Sequence, residues 1–395
     1  MSRNPARDET AIAGVGHAGC YRDAGVSMGV LALRACKLAV EDAGLTLQDV
    51  DGFCTTSGGG ARGMSTTTGW SDIDSRYMIE ALGLPGVRFY HDRPLGGVPG
   101  VGSAALATLA VASGQCDVAL ACRINYRPKK TGYGHSTQLR SGGVDAFFDP
   151  YGYGVFHQKF SAWFQRYRYQ YGVTREQLAT YVLQSRENYL RGDVPGVAPK
   201  VPMTMDDYMN ARWVSEPLSI LDCDYPCDGA AAVVVTTAER ARDLKQKPVY
   251  VSAVGAGTGP RPDFVYWHDY TEMAAHYAAK DIWDRAGLTP KDMDLAQIYD
   301  GFSPFIFYWL DALGFSTPKD VGEFVGGGAL KPNGVLPTNL NGGQLNEGRL
   351  HCLGHTIEAV KQLRGQSNER QLEKANAAVV AGGGLAVAVV MVLHT

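Results

Sequence analysis

Three markers occur twice and in the same order along the chain, and this internal duplication limits the fold more than any composition figure does. A strand running into glycines reads TAIAGVGHAG near the start and PVYVSAVGAGTG after residue 247. A helix end followed by a strand reads LAVEDAGLTLQDVDGF and again IWDRAGLTPKDMDLAQIYDGF, about 243 positions apart when Ala43 is set on Ala286. A Gly-Gly turn before a helix and an apolar strand reads LGGVPGVGSAALATLAVASGQCDVALAC. Its second copy reads NGGQLNEGRLHCLGHTIEAVKQLRG, followed by NAAVVAGGGLAVAVVMVL. Each half therefore reads β, helix, β, glycine turn, helix, β, and that alternation predicts α/β layers with a mostly parallel sheet in each half.

Two such halves packed together give a five-layer α/β/α/β/α body, with an N-terminal half over 1–245 and a C-terminal half over 246–395. The first helix has local signals at both ends. Ser27 can cap its start, Gly44 can end it, and Leu31, Leu33, Ala35, Leu38 and Ala39 supply apolar spacing. The run VVAGGGLAVAVVMVL reads as one strand covered on both faces. Residues 125–218 differ in composition and read as an insertion of loops and helices over a site mouth. Most aromatics in its segment FDPYGYGVFHQKFSAWFQRYRYQYG are expected at a dimer interface.

A net charge of −3 with 19% charged residues offers no basic surface for nucleic acid. No apolar run is long enough to span a bilayer, and MSRNPARDETAIAG lacks a signal-peptide core, so a cytoplasmic location is expected. Eight cysteines occur without a CxxC pair. Cys223 and Cys227 have neither knuckle spacing nor nearby partner ligands, so no metal site is expected. GVGHAG over residues 14–19 matches the dinucleotide pattern, but CYRDAGVS separates it from the helix that would have to hold a pyrophosphate. A nucleotide site there is rejected.

The stretch NGGQLNEGRLHCLGH, residues 341–355, gathers an acid, an arginine and two histidines beside paired glycines. Those are proton-handling groups on a backbone that can approach a ligand closely. The duplicated pattern, AVEDAGLTLQDVDGF, DGAAAVVVT and AGGGLAVAV together resemble the thiolase superfamily, and more narrowly its sterol-carrier and lipid-transfer thiolase-like branch. The resemblance covers nearly the whole chain. It sets Pro99 where a thiolase carries its nucleophilic cysteine, Gly348-Arg349-Leu350 where the catalytic histidine stands, and Ala381 at the second cysteine. Thiolysis through an acyl-cysteine is therefore not expected. Cys122 and Cys352 fall on no matching position and are expected in the core.

A branch of that family cleaves CoA thioesters of steroid side chains by a retro-aldol route, and IYDGFSPF resembles it. This similarity implies a catalytic tyrosine at Tyr299, whereas a second one is replaced here by Arg349. The candidate catalytic set is Tyr299, Asp300, Glu347, Arg349 and His351. Arg349 is expected to favour the Tyr299 phenolate, and Glu347 to orient Arg349 or His351. Backbone N–H groups of Gly342, Gly343, Gly382, Gly383 and Gly384 are candidates for an oxyanion hole. His355 is expected to be structural. The resemblance further implies an acyl-CoA substrate with no bound cofactor, a homodimer, and a small OB-fold partner carrying a zinc ribbon. Two other readings stand beside it: a non-catalytic homologue that holds acyl-CoA or lipid, and an acyltransferase that forms carbon–carbon bonds.

Overall fold

The computed structural model describes residues 4–56, 73–127 and 143–395. In chain order its strands are β1 (Thr10–Tyr21), β2 (Gly52–Thr55), β3 (Phe89–His91), β4 (Val118–Asn125), β5 (Trp213–Ser215), β6 (Leu218–Ser219), β7 (Asp228–Thr237), β8 (Val249–Gly257), β9 (Leu295–Ile298), β10 (Ala377–Gly383) and β11 (Ala388–His394). Nine of them lie in the order β3-β2-β4-β7-β1-β8-β11-β10-β9, while β5 and β6 form a separate hairpin. The duplication is visible in that order. β2-β4-β7-β1 is mirrored by β9-β10-β11-β8, and the halves join where Ala11 and Ile12 of β1 pair with Tyr250 and Val249 of β8.

The expected mostly parallel sheets are mixed. β2 runs parallel to β4, and β9 to β10, but β7 and β11 each enter antiparallel to both neighbours. The reason lies in VVAGGGLAVAVVMVL, which is a hairpin and not one strand. Gly383 (φ +73) and Gly384 (φ +151) turn the chain between β10 and β11, a link too short for a parallel crossover. In the first half the corresponding strands β4 and β7 are separated by the insertion, of which residues 128–142 lie outside the described residues.

Strand alternation builds the five layers. In β7, Ala230, Ala232 and Val234 face an outer core with the helix Met28–Ala43, while Ala231, Val233 and Val235 face the middle. In β11, Val389, Met391 and Leu393 face the same middle core, and Ala388, Val390 and Val392 face the other outer one. The middle layer is the helix Val101–Ala112 with the helix Leu353–Arg364, each touching strands of both halves. Ser27 Oγ accepts from Val30 N–H and Gly44 (φ +74) closes the first helix as expected, although Leu38 faces solvent. Gly14 and Gly16 lie against that helix: a Cβ would stand 2.1 Å from the Ala39 oxygen or 2.2 Å from the Ala35 oxygen. Close helix–strand packing, without any phosphate, thus accounts for the glycine motif of β1.

The insertion adds the helices Phe156–Tyr171 and Arg175–Leu190. Its aromatics divide differently from the interface expectation. Phe160, Trp163, Phe164 and Tyr167 are buried in this chain's own outer core, with Phe160 stacked on Phe305 at 4.5 Å and Tyr167 near Tyr308 at 4.3 Å. Tyr151, Phe156 and Tyr169 are the exposed minority. No described helix is long and apolar enough to cross a membrane.

Candidate active site

Two loops meet at the start of the middle-layer helix Val101–Ala112. Gly100 (φ +72) precedes it, and Val101 N–H donates to the His351 carbonyl at 3.1 Å. A Cβ at Gly100 would stand 2.1 Å from that oxygen, so the backbones can touch only with glycine there. The opposing loop is held in an unfavourable shape. His351 (φ +50) and Cys352 (φ +64) both adopt the left-handed region, at about 1–2 kcal/mol per residue for side chains with a Cβ. His351 N–H is fixed by the Gln344 side-chain oxygen.

Tyr299 follows β9, and its N–H donates to the Ala381 carbonyl at 2.8 Å; the Cys352 thiol donates to that same oxygen at 3.4 Å. The phenol ring lies edge-on to Phe305 at 5.0 Å and roughly parallel to the His351 ring at 6.4 Å. Its hydroxyl passes over Gly301, where a Cβ would come within 2.3 Å. Tyr299 is not poised as a phenolate. Burial pushes its pKa well above the ordinary phenol value and Asp224 adds to this, while Arg349 opposes them. The expectation that Arg349 lowers it overall is therefore corrected.

Arg349 is committed to Asp224. Its Nε donates to both carboxylate oxygens, at 2.9 and 3.1 Å, and Asp224 is buried. Burial lifts the Asp224 carboxyl above its usual range, with Arg349 pulling it back. His351 lies far on the neutral side: burial, then Arg123, then Arg349 hold its pKa well below 6.5, and its Nδ1 is buried without a hydrogen-bond partner among the described residues. The site thus offers a protonated phenol, a neutral imidazole and a paired guanidinium.

The two candidate carboxylates sit behind this surface. Asp300 accepts from Tyr181 Oη and Gln344 N–H, both at 2.7 Å, and the buried His355 ring lies behind it with Nε2 3.4 Å away. Glu347 touches neither Arg349 nor His351, contrary to expectation. It accepts from Asn341 Nδ2 at 2.9 Å and faces His17 Nε2 at 2.8 Å. His17 Nδ1 accepts the Gly19 N–H, which leaves the Nε2 proton to face Glu347. Three of the proposed oxyanion donors are engaged elsewhere. Gly342 N–H is taken by the Asn339 carbonyl, Gly343 N–H by Asn341 Oδ1 and Gly384 N–H by the Val387 carbonyl; Gly382 and Gly383 stand opposite Val389 and Ala388 in the β10–β11 ladder, where alternate N–H groups point away from the partner strand.

Residues 260–395 match the family model described as thiolase C-terminal domain-like. The chain is 32% identical to a 17-hydroxy-3-oxo-4-pregnene-20-carboxyl-CoA lyase of Mycobacterium tuberculosis, over 95% of this chain and 97% of that one. It is 30% identical to a steroid side-chain-cleaving aldolase of Thermomonospora curvata, over 95% of each chain. The chain belongs to the aldolase branch of the thiolase superfamily. A solved Ltp2-ChsH2(DUF35) aldolase superposes on 99% of this chain and 98% of that one, with a TM-score of 0.85 at 28% identity.

In this thiolase-like aldolase the positions of the classical thiolase groups carry no thiol. Pro99 and Gly100 lead into the helix, Arg349 is in an ion pair, and Ala381 provides only its backbone carbonyl. All eight cysteines are buried and free, and burial pushes the Cys352 thiol well above its ordinary pKa. Two charged residues beside the candidate set were not singled out from the sequence. Asp224 was hidden by its distance from Arg349 along the chain. Arg123 was legible as a charge in the apolar strand VALACRIN, on the same face as Ala119 and Ala121. Beside Asp224, its neighbours Cys223 and Tyr225 line a small hollow whose wall also holds Val182, Arg186, Met203, Leu345 and Asn346.

Proposed function

We propose that this protein cleaves a β-hydroxyacyl-CoA with a bulky, steroid-type acyl group, using the protonated phenol of Tyr299 and the neutral imidazole of His351 without any covalent thiol. His351 takes the proton of the β-hydroxyl, the Cα–Cβ bond breaks to leave a ketone, and the electron pair moves into the thioester as an enolate. Tyr299 donates toward that enolate, and proton return to Cα releases the shortened acyl-CoA. The paired Arg349 and Asp224 fix the rim of the site. The observation carrying this reading is the stacked Tyr299–His351 pair in a site whose cysteine is a buried thiol. The printed activities of the two relatives support it.

The working assembly is a homodimer joined by a small OB-fold partner with a zinc ribbon, acting in the cytoplasm. The pairing printed for the Ltp2-ChsH2(DUF35) aldolase supports the second protein, and eight free thiols suit a reducing compartment. The test is incubation of the full chain, alone and co-expressed with a candidate partner, with steroid β-hydroxyacyl-CoA substrates, reading ketone and shortened acyl-CoA by mass spectrometry. Turnover in the mixture supports the reading. Tight thioester binding with no cleavage in any arm leaves a binding homologue instead. Transfer of the acyl group onto a second thioester marks a bond-forming acyltransferase.

A further inference from the structure

Arg123 is the one charged side chain projected by β4 toward the middle layer, and it retains only 6% of its exposure. Among the described residues no carboxylate pairs with it. Its side-chain partner is Asn125, whose Oδ1 accepts from Arg123 at 3.0 Å and whose amide donates to the Cys227 carbonyl at 2.8 Å, while Arg123 Nε is buried with no hydrogen-bond partner among the described residues. The same corner holds the reactive loop. A Cβ on Gly348 would stand 2.9 Å from Cys227 Sγ, so Arg349 and His351 leave directly from that contact. Arg123 is close enough to His351 to resist a positive charge there, and Arg349 in turn disfavours the charge on Arg123.

The other charges nearby are already answered. Arg349 has Asp224, Asp300 has Tyr181 and the Gln344 N–H, and Glu347 has His17 and Asn341. Burial and then Arg349 draw Arg123 down, to about 10, which still leaves it cationic at neutral pH. A buried guanidinium without a counter-ion is costly, and the cost is offset where an incoming anion completes it. The glycine N–H groups that could have served an oxyanion are occupied at Gly342, Gly343 and Gly384.

We propose that Arg123 is a catalytic residue that receives the enolate oxygen formed on the thioester during cleavage. This rests on the retro-aldol reading above. In atoms and electrons, the pair from the broken Cα–Cβ bond enters the thioester π-system, the oxygen becomes anionic against Arg123, and a proton later returns to Cα. Arg123 itself neither gains nor loses a proton.

The enolate can be reached from the product side, so the test does not depend on knowing the acyl group. The full chain with its co-expressed partner is incubated in D2O with acetyl-CoA and propionyl-CoA, and α-deuteration is followed by mass spectrometry. Wild type is expected to exchange. Arg123→Met should lose 10²–10³-fold in exchange rate, as removal of one oxyanion donor does, with thioester affinity changed only a few-fold. Arg123→Lys should recover part of the loss, and added ethylguanidinium should restore Arg123→Ala saturably, which a packing role would not allow. If Arg123→Met does not fold, the Lys variant and the Ala rescue carry the test. The same series on S-acetylpantetheine, which lacks the nucleotide phosphates, separates the two anions. A defect that persists identifies the thioester oxygen, and one confined to full CoA points to phosphate and overturns the proposal. Exchange by Arg123→Met within three-fold of wild type also overturns it, while steroid cleavage and exchange both absent in wild type overturn the parent reading.

Discussion

Replacing Tyr299 with Phe separates chemistry from packing more cleanly than any other single change. The ring would keep its edge-on contact with Phe305 and its parallel neighbour His351. The hydroxyl has no recorded hydrogen-bond partner among the described residues and lies over Gly301, so its loss leaves no buried group unsatisfied. Stability should therefore move by less than about 1 kcal/mol, the usual net value of one hydrogen bond. Loss of a proton donor in the transition state should slow cleavage by about 10²–10⁴-fold, equivalent to about 2.7–5.4 kcal/mol of barrier. The assay is single-turnover cleavage of a steroid β-hydroxyacyl-CoA by the partner-bound protein, with urea denaturation of the same samples. Wild-type turnover would refute the role of the phenol. A comparable loss in both measurements would refute the separation of chemistry from packing. Because burial holds this phenol above its ordinary value, the alkaline limb of the rate profile should not follow Tyr299, and changing Arg349 should not move that limb.

Arg349→Ala leaves Asp224 buried and unpaired; removing one partner of a fully buried pair costs about 3–5 kcal/mol, but Arg349 is about a third exposed, so about 2–3 is expected. Urea midpoints check this, and an added Asp224→Asn should recover much of the loss. His351 is held neutral with its folded pKa below the unfolded value of about 6.5, so its contribution is fully present above about pH 6.5. It is lost as pH falls through that value toward the folded pKa, by up to about 1.4 kcal/mol per pH unit. His351→Gln should flatten that acid slope in stability, leaving the smaller one from His157, whose pKa is also lowered by burial, and should slow cleavage at neutral pH. Cys122→Ser and Cys352→Ser should keep turnover within a few-fold, and mass spectrometry should find no acyl-enzyme; a trapped adduct on either would restore a thiolase-type route.

Much of the architecture was legible from short-range signals. Repetition of the glycine strand, the AGL turn and the Gly-Gly loop specified two α/β halves, because each marker is a local device that works wherever it occurs: a cap, a tight turn, a strand with small residues under a helix. Ser27 and Gly44 bound their helix for that reason. Tyr299 and the strained loop at His351 could be picked out because their residue types carry chemistry and stand in a matched motif. Strand direction was not legible. Whether VVAGGGLAVAVVMVL is one strand or two depends on a backbone turn at Gly383 and Gly384, and apolar character is identical in both cases.

Charge partnership was decided only by the tertiary structure. Glu347 lies two residues from Arg349, yet the fold sends it to His17, 330 positions away, and gives Arg349 an aspartate from 125 positions away. Phenol and imidazole titration likewise follow from burial, which periodicity can suggest for a strand but not for one atom at a loop tip. The Tyr299 hydroxyl, the His351 ring and the Arg123 guanidinium share a corner because two duplicated loops converge on one middle layer. Local residue signals suffice to place the loops; the packing of one half against the other decides which of their charges remain unanswered.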